Sequence, residues 1–170
     1  MVIWCIGLSG SGKTTLGREI AKHWRALEPN TVLLDGDELR EVFGAAKAEE
    51  SYTVAGRRRN AERITALCQL LDRQGINVVC CILSIFQDMR NQNRTRFSKY
   101  FEVFMDAPMR VLEQRDVKGL YAAAREGKMR NVVGVDIPFD RPANPNMIVD
   151  SSSPVADIQA LAKEVLDRAR

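Results

Sequence analysis

Long apolar runs are missing from this chain: no stretch approaches the roughly eighteen residues that a membrane-crossing helix needs. No charged segment precedes the first apolar run, so the N-terminus does not read as a signal peptide. Net charge is only +3, too little to argue for a nucleic-acid partner, although a mild basic excess suits small anionic substrates. There is no C-x-x-C spacing. The four cysteines, Cys5, Cys68, Cys80 and Cys81, all sit in apolar stretches, and the adjacent Cys80 and Cys81 are badly placed to bridge each other. They read as buried thiols of a reducing compartment. The single histidine, His23, falls inside a helical pattern and is assigned no chemistry. Internal repeats and low-complexity tracts are absent. These absences leave a cytoplasmic enzyme of small molecules as the default, with no nucleic acid and no membrane as partner.

At 170 residues, 45% hydrophobic and 28% charged, the chain can bury one sizeable core and not two. Five short apolar runs, at 2–6, 31–34, 77–83, 100–105 and 147–149, predict buried parallel strands. Helical patterns lie between and after them, at 14–27, 56–74, 88–97, 109–115 and 155–169. Gly75 stops the second helix after Arg73, and Pro154 suits the first turn of the last one. The alternation predicts an α/β fold, three layers with a parallel sheet covered on both faces by helices. Ligands of such sheets sit beyond the carboxyl ends of the strands. The stretch 118–140 has little apolar periodicity and carries Gly119, Gly127 and Gly134; it reads as a mobile lid over the site.

The strongest local pattern is Gly7-Leu8-Ser9-Gly10-Ser11-Gly12-Lys13-Thr14. It is a complete G-x-x-x-x-G-K-[ST] phosphate loop with a strand before it and a helix after it, which is the context the motif requires. Glycines let backbone N–H groups turn toward a polyphosphate, and the following helix aims its positive dipole end at the same anion. Lys13 is expected to reach the β- and γ-phosphates of ATP, and the Thr14 hydroxyl to hold Mg²⁺. Thr15 continues the loop into the helix.

Two carboxylates, Asp35 and Asp37, follow the second strand directly. Beside a phosphate loop they are candidates for Mg²⁺ contact and for accepting a hydroxyl proton; Asp37 also reads as a helix N-cap, a compatible role. The run from Arg57 to Arg63 is a basic helix start. It reads either as a solvated face or as a site for a substrate phosphate, since cations are unhelpful at a helix N-terminus unless an anion joins them. Arg110, Arg115, Lys118 and Arg125 lie in or near the lid, where guanidinium groups can stack on a base or neutralise phosphoryl charge.

These motifs together resemble the adenylylsulfate (APS) kinase family, which transfers the ATP γ-phosphate to the 3′-hydroxyl of adenosine 5′-phosphosulfate. The resemblance covers nearly the whole chain, 1–170, as one kinase domain of the P-loop type. The loop Gly7–Thr15 is close to the family's. Leu34-Asp35-Gly36-Asp37-Glu38-Leu39-Arg40 resembles its L-D-G-D-N-[IVL]-R segment, which implies Asp37 as base or Mg²⁺ partner and Arg40 as a contact to the sulfonucleotide. Arg57 and Asn60 fall on the family's D-R-x-x-N element, which binds that substrate, and Phe43 on an aromatic lining position. Arg115-Asp116-Val117-Lys118-Gly119-Leu120-Tyr121 resembles the lid signature R-D-x-K-G-L-Y, which implies Arg115 beside the ATP base and Lys118 and Leu120 closing over the acceptor. Ser84 stands where the family has a proposed phosphoserine. A homodimer and a place in sulfate assimilation are also implied.

The departures fall on the acceptor side. Where the family has I-S-P-[YF]-R, this chain has Leu83-Ser84-Ile85-Phe86-Gln87. The aspartate of D-R-x-x-N is Gly56, and the base-stacking phenylalanine of N-F-T-G is Val132. Base–aromatic stacking is worth about 1–3 kcal/mol, so the loss bears on the acceptor. A related branch phosphorylates the 3′-hydroxyl of cytidine diphosphoramidate in capsular polysaccharide modification, and the changes at 85–86 and 132–133 fit such a switch of base. A third reading is a nucleotide-binding regulator without an acceptor site. Arg40, Arg57 and the lid speak against it.

Overall fold

The computed structural model describes residues 1–45, 48–116 and 118–170. Five parallel strands, β1 (Val2–Ile6), β2 (Thr31–Asp35), β3 (Asn77–Ile82), β4 (Tyr100–Asp106) and β5 (Met147–Asp150), form one sheet in the order β2-β3-β1-β4-β5. Every pairing is parallel, with Cys5 opposite Cys81 on one side and Val103 on the other. Helices α1 (Lys13–Leu27), α2 (Gly36–Val42), α3 (Val54–Arg73), α4 (Gln87–Arg96), α5 (Met109–Arg115), α6 (Leu120–Arg125) and α7 (Ile158–Ala169) surround it. A 3₁₀ turn spans Glu49–Tyr52.

The strand sequences explain the layering. β1 and β3 are buried at every position, because both faces of a central parallel strand are covered. Alternate residues go to opposite faces: Ile3 and Cys5 pack with Leu16, Ile20 and Trp24 of α1 and Val165 of α7, while Val2, Trp4 and Ile6 pack with Leu39, Ile64, Cys68 and Phe97. β5 is an edge strand and shows it, with Met147 and Val149 buried and Ile148 and Asp150 exposed. A third, smaller cluster packs Leu112 of α5 against Tyr121 and Val132 of the lid stretch. All four cysteines are buried free thiols.

The predicted strands and the phosphate-loop helix lie where expected, with boundaries moved by one residue at most. Gly75 ends α3 as read from sequence: at φ 75° it lets its own N–H reach the Asp72 carbonyl and that of Ile76 reach Leu71. Four features differ. α7 begins at Ile158, not at 155, because Asp157 accepts the Ala160 N–H at 2.8 Å and so fixes the first turn. α3 begins at Val54, two residues early, capped by Thr53. The cap of α2 is Asp35, whose carboxylate accepts the Asp37 N–H at 2.9 Å, and not Asp37 itself. The lid stretch also holds helix α6, which weak periodicity concealed.

Candidate active site

The turns that leave β1, β2 and β3 meet at one end of the sheet around a cavity of about 1040 Å³. Its donor end is the phosphate loop. Gly12, at φ 93°, is the residue before α1, a backbone conformation that a side chain would strain. The Lys13 ammonium donates to the Leu8 carbonyl at 2.8 Å across the loop. Burial pulls its pKa below the ordinary lysine value, opposed by the nearby Asp37 and Asp35 carboxylates.

Asp35, buried at the end of β2, accepts the Thr14 hydroxyl at 2.6 Å with one oxygen while the other caps α2. A hydroxyl and a carboxylate held together are hard oxygen donors of the kind Mg²⁺ takes. Among the described residues no cluster of three His, Cys, Asp or Glu side chains could hold a metal. A cation here would therefore draw its remaining ligands from phosphate and water. Asp37 is exposed to the cavity and receives the Lys118 ammonium at 2.5 Å. Desolvation in the cleft raises the Asp37 carboxyl, but the hydrogen bond and charge of Lys118, with Lys13 and Arg40, outweigh it and leave its pKa below the usual carboxylate value.

The far end of the cavity is cationic. Arg57, Asn60 and Ile64 share one face of α3 and border it with Arg40 and Tyr52. Arg57 gives its Nε to the Tyr52 carbonyl and one Nη to the Asn131 carbonyl, both at 2.8 Å. Arg40 lies 4.6 Å from the centre of the Tyr52 ring, with Arg57 at 5.7 Å. Burial, then the charge of Arg40, pulls the Arg57 pKa down: two cations are held close together, and an anion would relieve both. The basic run thus divides by residue. Arg57 borders the cavity, while Arg58 and Arg59 pair with Asp88 and Glu50 on the surface.

Of the other residues singled out in the sequence, Ser9, Gly10, Thr15, Ser84, Lys118, Leu120 and Val132 border the cavity. Gly7 and Ser11 are buried inside the loop. Arg115 stands on the other side of it, bonding the Gly10 and Ser152 carbonyls at 3.5 and 3.2 Å. Val117 lies outside the described residues. Ser84 has φ 53°, its hydroxyl accepts the Trp4 indole N–H at 3.1 Å, and its carbonyl is bound by the fully buried Arg90. Those bonds give Ser84 a part in shaping the wall.

Phe43 requires correction. It caps the end of α2, one turn after Leu39, and packs half-buried against the core; it is not among the described residues that border the cavity. The aromatic rings that do so are Tyr52, on the 3₁₀ turn, Phe86 and Tyr121. The sequence signal for Tyr52 was Thr53, a helix cap that puts an aromatic residue just ahead of α3. Gly56 has its reason in the same place. A Cβ there would lie 2.0 Å from the Glu50 carbonyl oxygen and 2.8 Å from the Ser51 Cα, so α3 packs directly on the turn. Gly56→Ala is expected to cost about 1–3 kcal/mol of stability, measured by thermal unfolding, and to displace Tyr52.

The adenylylsulphate kinase family model matches residues 1–150. An adenylyl-sulfate kinase of Synechococcus sp. (strain JA-3-3Ab) is 38% identical over 148 residues, covering 87% of this chain and 82% of that one. The cytidine diphosphoramidate kinase of Campylobacter jejuni is 37% identical over 151 residues, covering 89% and 86%. Among solved structures, the Mycobacterium tuberculosis APS kinase in complex with AMPPNP and APS superimposes with a TM-score of 0.82 at 33% identity, covering 98% of this chain and 95% of that one. Sequence likeness that runs from the phosphate loop to β5, on a backbone of the same shape, makes the chain a member of the adenylylsulphate kinase family.

Proposed function

We propose that this chain, acting as a single kinase domain, transfers the γ-phosphoryl group of ATP to the 3′-hydroxyl of adenosine 5′-phosphosulfate. The observation that carries the reading is that one cavity runs from the phosphate loop to the paired Arg40 and Arg57, so a triphosphate and an anionic acceptor fit end to end. A regulator that only bound nucleotide would have no use for that cationic end.

Phosphoryl transfer needs positioning and charge neutralisation more than covalent chemistry. Lys13 and the loop N–H groups hold the β- and γ-phosphates. Thr14 and Asp35 are the residues to hold Mg²⁺, which when bound supplies charge neutralisation on the phosphate oxygens. Arg115 and the loop after β5 flank the donor base. Arg40, Arg57 and Asn60 take the anionic end of the acceptor, and Asp37 accepts the proton of its hydroxyl. Lys118 and Leu120 close over the pair and exclude water, which would otherwise compete as acceptor. A homodimer in the cytoplasm completes the reading drawn from the family.

A second reading keeps the reaction and changes the acceptor to a cytidine nucleotide such as cytidine diphosphoramidate. Val132 favours it: only 1% exposed, it brings no ring to the acceptor. The test is ATP consumption against a panel of adenosine 5′-phosphosulfate, cytidine diphosphate derivatives and free nucleosides, with the phosphorylated position located by NMR. Saturable 3′-phosphorylation of the sulfonucleotide supports the first reading and activity confined to cytidine compounds the second. If no member of the panel is phosphorylated, both are wrong.

A further inference from the structure

Arg57 is anchored by a loop of the lid, and that loop is built around one carboxylate. Residues 131–137 close on themselves. Gly134 turns the chain at φ 93° and gives its N–H to the Ile137 carbonyl at 2.7 Å. The Val132 carbonyl accepts the N–H groups of Val135, Asp136 and Ile137 at 3.1, 3.1 and 3.2 Å. The Asp136 carboxylate reaches back and accepts two successive backbone donors, the Asn131 N–H at 2.6 Å and the Val132 N–H at 2.5 Å. Asn131 has φ 62°, a left-handed backbone that a non-glycine residue keeps only where its surroundings impose it. Desolvation raises the Asp136 carboxyl. The backbone bonds of Asn131, Val132 and Asp136 itself, then the charge of Arg57, outweigh it and hold its pKa below the usual carboxylate value.

One peptide carries the connection. The unit between Asn131 and Val132 gives its N–H to Asp136 and offers its C=O to an Arg57 Nη at 2.8 Å. In a trans peptide these two groups point in opposite directions, so an anion holds one side and a cation the other. Turned over, the peptide would face its N–H to the guanidinium and its C=O to the carboxylate. Hydrogen bonds in such a row also polarise one another. For Arg57 this carbonyl is one of two backbone anchors, the other being that of Tyr52, at 2.8 Å from Nε. The two fix the plane of the guanidinium and leave its remaining donors for an anion in the cavity. A fork already held in plane loses little freedom when the anion binds.

We infer that Asp136 is a positioning residue for the acceptor: through the Asn131–Val132 peptide it sets the Arg57 guanidinium in the plane that receives the acceptor's anionic end. The inference rests on the proposed reading in which Arg57 takes that anion. Asp136 touches no substrate. Its effect reaches the reaction through Arg57 alone, and that dependence separates it from a residue that only stabilises the lid.

The test is steady-state kinetics of Asp136→Ala and Asp136→Asn, each alone and combined with Arg57→Met, using ATP and whichever nucleotide the panel shows to be phosphorylated. The readout is kcat/KM for the acceptor, which stays measurable when saturation is lost. Asp136→Ala alone is expected to lower it about tenfold, the range of one hydrogen bond to a charged group, while the KM for ATP moves no more than about threefold. Asp136→Asn keeps one accepting oxygen and nearly the same shape. It is expected to fall between Asp136→Ala and wild type, and it keeps the test open should Asp136→Ala unfold. Beside Arg57→Met, where no guanidinium is left to place, either change at 136 is expected to cost less than about twofold. A loss by the same factor in both backgrounds is what general loosening of the lid would give, and it overturns the inference. So does an acceptor kcat/KM that neither single variant changes. A wild-type enzyme that phosphorylates no nucleotide defeats the functional reading and the positioning role with it, whereas an active wild type that fails either expectation defeats the positioning role alone.

Discussion

Lys13→Ala is expected to lower kcat by about 10²–10³ or more, the cost of deleting one preorganised group from a site of developing charge. Lys13 is the one ammonium built into the phosphate loop, and its bond to the Leu8 carbonyl holds it against the loop backbone. It reaches the triphosphate without a search through rotamers, so its charge is already in position when the γ-phosphoryl group moves. Removing it also takes one of two donors from the Leu8 carbonyl, the Ser11 N–H remaining at 3.2 Å, and thermal unfolding of the variant separates a looser loop from a lost charge. A variant that stays folded and turns over at close to the wild-type rate would refute the assignment of the loop to ATP.

Asp37→Asn is expected to lower kcat about 10²-fold or more, the usual worth of a positioned base, while ATP affinity stays within about threefold because the phosphates are held elsewhere. The two aspartates divide the work. Asp35 has both oxygens engaged, with Thr14 and with the Asp37 N–H, whereas Asp37 meets the cavity through an exposed ion pair to Lys118. A pair so exposed contributes little to stability, so Asn at 37 is tolerated by the fold and the loss is read as chemistry. The sign of the pH dependence follows. Because Lys118, with Lys13 and Arg40, outweighs desolvation and lowers the Asp37 pKa from the usual carboxylate value, the base ionises at lower pH than an unpaired carboxylate. The acid limb of kcat/KM is therefore expected on the low-pH side of an ordinary aspartate's. Lys118→Met removes the main lowering influence, and the limb is expected to move to higher pH. A limb that stays put would show that some other group titrates there.

How much of this was legible beforehand varied with distance along the chain. The phosphate loop, its strand and its helix are contiguous, and the residues name their own conformation. The five strands were readable because a parallel strand covered on both faces must be apolar throughout. The acceptor end was not, because its geometry is made by elements far apart in sequence. Tyr52 sits in a short turn among Glu49, Glu50 and Ser51, where no periodicity marks it, and it becomes part of a wall only when Arg40 and Arg57 arrive from two different helices. Phe43 looked equally suitable in one dimension, but it caps the end of α2 one turn after Leu39, a spacing that sets it against the same core. The basic run at 57–59 allowed two meanings because both hold, one for each direction in which the helix presents its side chains.

The hydroxyl of Tyr121 is anchored to the carbonyl of Ser9. This bolts the cover to the rim of the grip, so neither part can shift without dragging the other. Substitutions chosen to retune one substrate should thus disturb the second as well, and Tyr121→Phe is the change that would uncouple them.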